Sequence, residues 1–224
     1  MSHFRRNQSG KMTKVKICGL SEPESLDTAI QCGAAFVGLA FYPPSPRHIS
    51  LEVASSLAVR IPQSVGKVGL TVDAGDSLLE EILTRVPLDM LQLHGEETPE
   101  RVREIRVRFG LPVMKAIRVA NADDLAIMPA YAEASDWLLF DTKSAKAPGG
   151  TGESFDWTLL SGTAPGRPWM LAGGISAETV ADALGIVRPD ALDLSSAVES
   201  APGRKDPQKI RSFFDALNQL EMTQ

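Results

Sequence analysis

Soft metal ligands are scarce in this chain: 224 residues hold two cysteines and three histidines. Cys18 and Cys32 fall in different kinds of segment, so neither a disulfide framework nor a zinc site is expected. His3 sits in the N-terminal tail, His48 in a proline-rich loop and His94 behind an apolar run, which leaves no metal triad to assemble. No stretch approaches the roughly 18 consecutive apolar residues of a membrane span. The opening MSHFRRNQSGKM lacks the apolar core of a secretory signal. A basic excess is missing too. The net charge of −5 argues against a nucleic-acid or anionic-membrane surface, while leaving room for a local pocket for a small anion. These absences point to a cytoplasmic protein of small-molecule chemistry, and a monomer or homodimer is expected.

With 43% hydrophobic residues the chain can bury a full core, and its length suits one domain. Residues 1–12 read as a disordered extension and 13–224 as the domain. Beyond residue 12, short apolar runs alternate with helical patterns. The runs are Lys14–Cys18, Ala35–Phe41, Lys67–Val72, Asp89–Leu93, Pro112–Ile117, Trp137–Phe140, Trp169–Ala172 and Ala191–Leu194. They lack strict alternation, as buried parallel strands do when both faces are covered. Ser21-Glu22-Pro23-Glu24 reads as a capping box, and Thr98-Pro99 and Asp206-Pro207 as helix starts. Ser50, Asp76 and Ser176 are further N-cap candidates, and the helices after strands five and six look short. Eight strand–helix units without a domain-sized linker predict an α/β fold, a single-domain (β/α)8 TIM barrel. An open doubly wound sheet is the alternative.

In such a barrel chemistry sits at the carboxyl ends of the strands. Cys18 ends the first run in VKICGL, where Gly19 would leave its thiol accessible. The residue is either a small buried hydrophobe or, with a cation nearby, a thiolate base. Asp141 follows Leu138-Leu139-Phe140 and emerges at the same rim, as a turn cap or an acid. A long loop follows, basic at Lys143 and Lys146 and glycine-rich at Gly149-Gly150-Thr151-Gly152, which suits a lid. Gly173-Gly174 and Ser195-Ser196 end the last two strands, where barrels commonly bind phosphate on exposed N–H groups. Prolines 43, 44 and 46 stiffen the loop that carries Arg47, whose guanidinium suits a planar carboxylate. Gln92 and His94 share a strand face and are binding candidates, with His94 also a possible second base. Parity predicts one more feature. Lys16 lies two residues before Cys18 and Asp193 two before Ser195, so the two should pair inside the closed barrel.

The segments VKICGL, GLAFYPPSPRHIS, LDMLQLHGEE, LLFDTKSAKAPGGTGESFDW, WMLAGGIS and LDLSSAVES, in that order, closely resemble the phosphoribosylanthranilate isomerase family of tryptophan biosynthesis. The resemblance spans Lys14 to about Phe214. It implies an Amadori rearrangement of a phosphosugar without a cofactor, with Cys18 as general base and Asp141 as general acid. It further implies that Arg47 holds the anthranilate carboxylate and that Gly173, Gly174, Ser195 and Ser196 hold the phosphate. Two departures stand out: Ala197 replaces a common glycine, and VGLTVDA, with Thr71 and Asp73, is an unusual third strand. Three other readings remain open at this point. They are the related two-aspartate isomerase of histidine biosynthesis, a Schiff-base aldolase using Lys16 or Lys115, and a non-catalytic phosphosugar-binding barrel.

Overall fold

A computed structural model describes residues 13–143 and 154–222; the 1–12 extension, Lys146 and the 149–152 glycine run lie outside the described residues. Eight parallel strands close on themselves: β1 (Lys14–Cys18), β2 (Phe36–Ala40), β3 (Gly66–Thr71), β4 (Met90–Leu93), β5 (Val113–Val119), β6 (Trp137–Thr142), β7 (Trp169–Leu171) and β8 (Ala191–Leu194). The β1–β8 ladder completes the ring, and this is a (β/α)8 barrel. Outside it run α1 (Pro23–Gln31), α2 (Leu51–Ala58), α3 (Asp76–Arg85), α4 (Pro99–Phe109), α5 (Met128–Ala134), α6 (Val180–Ile186) and α7 (Pro207–Met222). Eight helices are not found among the described residues. A 3-10 turn at Trp157–Leu160 follows β6, and a second one, Ala122–Leu125, precedes the short α5. A hairpin of β9 (Glu199–Ala201) and β10 (Arg204–Lys205) sits between β8 and α7.

Both faces of the strands are apolar because both are covered. Inside, Val68, Met90, Met114, Ala116, Leu139, Met170, Ala172 and Ala191 fill the barrel. Phe36 and Trp137 meet edge to face, 5.8 Å between centroids, at the amino ends of β2 and β6. Outside, the helices press their apolar stripes onto the sheet. α7 alone buries Ile210, Phe213, Phe214 and Leu217, at i, i+3, i+4 and i+7 spacing. Among the described residues no helix is long and apolar enough to cross a membrane.

Local capping follows the sequence in places and departs from it in others. Thr98 accepts from Arg101 N, Ser50 from Val53 N, and Asp206 Oδ1 from Gln208 N, each satisfying an orphan donor of a first turn. Gly110 ends α4 at φ 65°, a conformation glycine adopts without a Cβ penalty. The Ser21 capping box does not form. Glu22 is the N-cap, without a side-chain cap, and the Ser21 hydroxyl donates to Gly203 O instead, tying α1 to the β9–β10 hairpin. Asp76 is the first residue of α3 rather than its cap, and it pairs with Arg101 and Arg108 of α4. Ser176 caps a turn ahead of α6, accepting from Glu178 N, while Thr179 is the helix N-cap.

Lys16 and Asp193 do meet inside the barrel. They are register partners across β1 and β8, and Lys16 Nζ donates to Asp193 Oδ1 at 2.9 Å with the lysine fully buried. Burial alone would push the Lys16 ammonium down, but Asp193 and Cys18 hold it above its ordinary value. Burial raises the Asp193 carboxyl, and Lys16 offsets part of that. Removing one partner strands a buried charge, so Lys16→Met or Asp193→Leu alone should destabilise by about 3–5 kcal/mol. The double variant should recover most of the loss. Urea unfolding of the four proteins checks this, and additive losses would contradict a coupled pair.

Candidate active site

The carboxyl ends of the strands surround a cavity of about 750 Å³, within the usual size range of small-ligand sites. Cys18, Arg47, Gln92, His94, Asp141, Gly173, Gly174, Ser195 and Ser196 all line it. Cys18 is 5% exposed, and two glycines shape its surroundings. Its register partner on β2 is Gly38, where a Cβ would stand 2.9 Å from the Cys18 sulfur and 3.0 Å from its Cα. Gly38, not Gly19, makes room for the thiol. Gly19, at φ 77°, instead makes room for Arg47, whose Cδ would lie 2.8 Å from an added Cβ. The glycine of the KICG motif thus seats the arginine of the second loop against the first strand end.

Asp141 lies near the end of β6, 6% exposed. Its Oδ1 accepts from Thr142 N at 2.8 Å, and Oδ2 stands 3.3 Å from His94 Nε2. Gln92 Nε2 and His94 Nδ1 are 2.9 Å apart. His94 thus turns Nδ1 to the Gln92 amide and Nε2 to the Asp141 carboxyl. His94 therefore meets the proposed acid rather than standing alone as a second base. Behind Asp141, Gly173 has φ 79°, and a Cβ there would lie 2.3 Å from Thr142 Oγ1 and 3.3 Å from Asp141 Oδ1. Only glycine lets the turn after β7 pack on the acid-bearing strand.

The turn after β8 runs through Ser195 into a 3-10 segment, Ser196–Val198. Ser195 Oγ donates to Cys18 O at 3.2 Å, joining the first and last strand ends. Lys205 Nζ reaches over from β10 to Ser195 O at 3.0 Å and to Glu199 Oε1 at 2.6 Å. Arg47 meets the same carboxylate. Glu199 and Lys205 escaped the sequence reading, although Pro202-Gly203 between two short charged segments is a hairpin signal that could have drawn attention to them.

Charge around the thiol is finely opposed. Burial pushes the Cys18 thiol above its ordinary value, Lys16 and Lys205 pull it down, Asp193 adds to the rise, and the net direction is up. Burial lowers the Lys205 ammonium, with Glu199 opposing. Neither lysine considered for Schiff-base chemistry is placed for it. Lys16 is committed to Asp193, and Lys115 points away from the barrel axis to Gly95 O and Glu97 Oε2. Glu97 in turn accepts from Gly95 N and Asp73 N, holding together the loops after β3 and β4. Asp73, at φ 48°, belongs to that loop clamp, so this departure lies in a structural turn. Lys143 is ion-paired with Asp124 at the start of the long loop.

A family model described as N-(5'phosphoribosyl)anthranilate (PRA) isomerase matches residues 15–216. The chain belongs to this family. It is 52% identical over 212 residues to N-(5'-phosphoribosyl)anthranilate isomerase of Rhodopseudomonas palustris, covering 93% of this chain and 97% of that one. The enzyme of that name from Cereibacter sphaeroides is 53% identical over 204 residues, covering 90% and 96%. Among solved structures, phosphoribosyl anthranilate isomerase from Thermotoga maritima superposes with a TM-score of 0.85 at 37% identity, covering 93% of this chain and all of that one. A phosphoribosyl anthranilate isomerase in complex with reduced 1-(o-carboxyphenylamino)-1-deoxyribulose 5-phosphate gives 0.80 at 36% identity, with the same coverage. Membership settles the choice against the histidine-pathway isomerase, the aldolase and the non-catalytic barrel.

The cavity geometry of this family member depends on Gly38. Gly38→Ala should displace the Cys18 side chain while leaving the barrel folded, and small misplacements of a reacting group cost up to about 100-fold. Steady-state turnover should fall at least tenfold while far-ultraviolet circular dichroism stays that of the folded barrel. Turnover at the wild-type level would show that the thiol has slack.

Proposed function

We propose that the cavity converts N-(5-phosphoribosyl)anthranilate to 1-(2-carboxyphenylamino)-1-deoxy-D-ribulose 5-phosphate, with Asp141 as general acid and Cys18 as general base. The observation that carries this reading is the placement of a carboxyl on β6 and a thiol on β1 on one cavity, beside two turns suited to phosphate. Gly173, Gly174, Ser195 and Ser196 would hold the phosphate with their backbone N–H groups. Arg47 would hold the anthranilate carboxylate, and Gln92 with His94 would line the sugar. The substrate enters as a small phosphosugar, and the reaction needs no redox partner because oxidation at C2 balances reduction at C1.

The sequence of proton movements follows from the two groups. Protonated Asp141 donates to the furanose oxygen, the C1–O bond breaks and the anilino nitrogen forms a protonated Schiff base. That step leaves a carboxylate, with His94 Nε2 3.3 Å away. The resting Cys18 thiol is held above its ordinary value mainly by burial. A cationic Schiff base beside it favours the thiolate, and the proton the thiol gives up passes through water to the Asp141 carboxylate, so ring opening helps to generate the base that the next step needs and restores the acid. The thiolate then takes the C2 proton, giving an enolamine. Turnover closes when C1 gains a proton and the C2 hydroxyl loses one, which returns acid and base to their starting states.

Asp141→Asn should lower kcat by a factor on the order of 10³ or more while the reduced product analogue still binds within about threefold. Cys18→Ser should be crippled to a similar extent. Retention of a tenth of wild-type kcat in either variant would remove that group from its role. The thiol itself can be titrated by ultraviolet thiolate absorbance, using the difference between wild type and Cys18→Ser to subtract Cys32. Because burial raises the folded value, the thiolate signal should appear only above the ordinary cysteine range. Lys16→Met, which removes a cation, should shift it higher still. A signal at or below that range would contradict the charge balance described above.

A further inference from the structure

Charge is unevenly matched where the cavity would take a phosphate. The turns after β7 and β8 are built from Gly173-Gly174-Ile175-Ser176 and Ser195-Ser196-Ala197. They offer backbone N–H groups and hydroxyls but no basic side chain, whereas a phosphate monoester carries about two negative charges at neutral pH. Among the described residues two cationic side chains of lysine or arginine line the cavity, Arg47 and Lys209. Arg47 is forked onto the Glu199 carboxylate, with contacts of 2.7 and 2.8 Å. Lys209 Nζ donates instead to a neutral atom, Glu199 O, at 2.7 Å. That contact fixes the ammonium beside the turn after β8 without neutralising it.

The backbone that carries Lys209 is held as well. Asp206 Oδ1 accepts from Gln208 N at 2.8 Å and from Lys209 N at 3.3 Å, which secures the first turn of α7. A cation in a first turn opposes the helix dipole, so lysine is a locally unfavourable choice there, one that a nearby anion would redress. On its other side Lys209 faces the turn after β7. The Glu178 carboxyl of that turn is held below its ordinary value first by Ser176 Oγ, then by its own amide, and also by the Lys209 charge. Glu178 and Lys209 both line the cavity. Without the lysine, this edge would present a carboxylate alone to an incoming anion. We propose that Lys209 is a specificity-determining residue of the phosphate site, its ammonium supplying the charge that two neutral turns lack and offsetting Glu178 at the same edge. The inference rests on the reading of those turns as the phosphate site.

Calorimetry on two stable ligands tests this. One is the reduced product with its 5-phosphate, and the other is the same anilino alditol without the phosphate. Lys209→Met keeps an unbranched stem and loses the charge. It should weaken the phosphorylated ligand about tenfold or more and the dephosphorylated one less than about twofold, the loss expected of one charge-assisted contact. Because the phosphate is unchanged through the reaction, KM should rise while kcat stays within about twofold. Added salt should erode the affinity for the phosphorylated ligand more steeply in the wild type than in the variant. Lys209→Gln serves if the methionine variant is unfolded. Equal weakening of both ligands, or of neither, would overturn the proposal and leave Lys209 as a tether of the β9–β10 hairpin. If the wild type itself binds the two ligands equally, the turns do not hold phosphate and the underlying reading falls with it.

Discussion

The buried pair of Lys16 and Asp193 is the constraint on which the site is built. It sits where the barrel closes, between the first and last strands, with Lys16 fully buried and Asp193 buried at the floor of the cavity. A one-residue slip between those strands would turn one charge into the apolar layer beneath the helices, which is far costlier than a lost ladder bond. The pair therefore locks the closing register. With it locked, Cys18 and Ser195, each two residues further along, must emerge side by side at the rim, and the Ser195 hydroxyl reaches the Cys18 carbonyl.

Glycine does the complementary work of letting the rim come close. Gly38 makes space for the sulfur, Gly19 for the Arg47 stem, Gly173 for the acid strand and Gly203 for the proline loop. Each is a place where two backbones, or a backbone and a side chain, approach more closely than a Cβ allows. The cavity is consequently assembled from loops that brace one another. Glu97 with Lys115 ties the loops after β3 and β4, and Glu199 with Lys205 and Arg47 ties those after β2 and β8. Two buried carboxylate–ammonium nodes thus brace the loops at the carboxyl ends of the strands.

This arrangement reconciles two needs of the chemistry. The base must be poised yet shielded, and burial alone would leave a thiol inert. Lysines 16 and 205 oppose that burial without cancelling it, because Asp193 and Glu199 absorb part of their charge. The remainder of the stabilisation can come from the cationic intermediate itself. On the acid side the polar partners differ, with His94 and the Thr142 amide at Asp141. The proposed acid and the proposed base thus have different surroundings.

The eightfold alternation of apolar runs and helical spacing determined the barrel, because burial on both faces of a parallel sheet imprints itself on every strand. Strand parity likewise determined the Lys16–Asp193 pair and the set of rim residues, since in a closed ring direction and height follow from position along the strand. Other features depended on contacts between segments far apart in sequence. The Ser21 box failed because Gly203, 182 residues away, offered its carbonyl to the hydroxyl, and Asp76 was drawn off by two arginines of α4. Among the described residues after β6 there is a 3-10 turn rather than a helix, where the sequence has only a short apolar pattern. Above all, the partners of Arg47 and the purpose of Gly19 and Gly38 are decided by the closing of the rim. Local sequence records which face a side chain occupies, but only the assembled ring decides which charge or backbone stands opposite it.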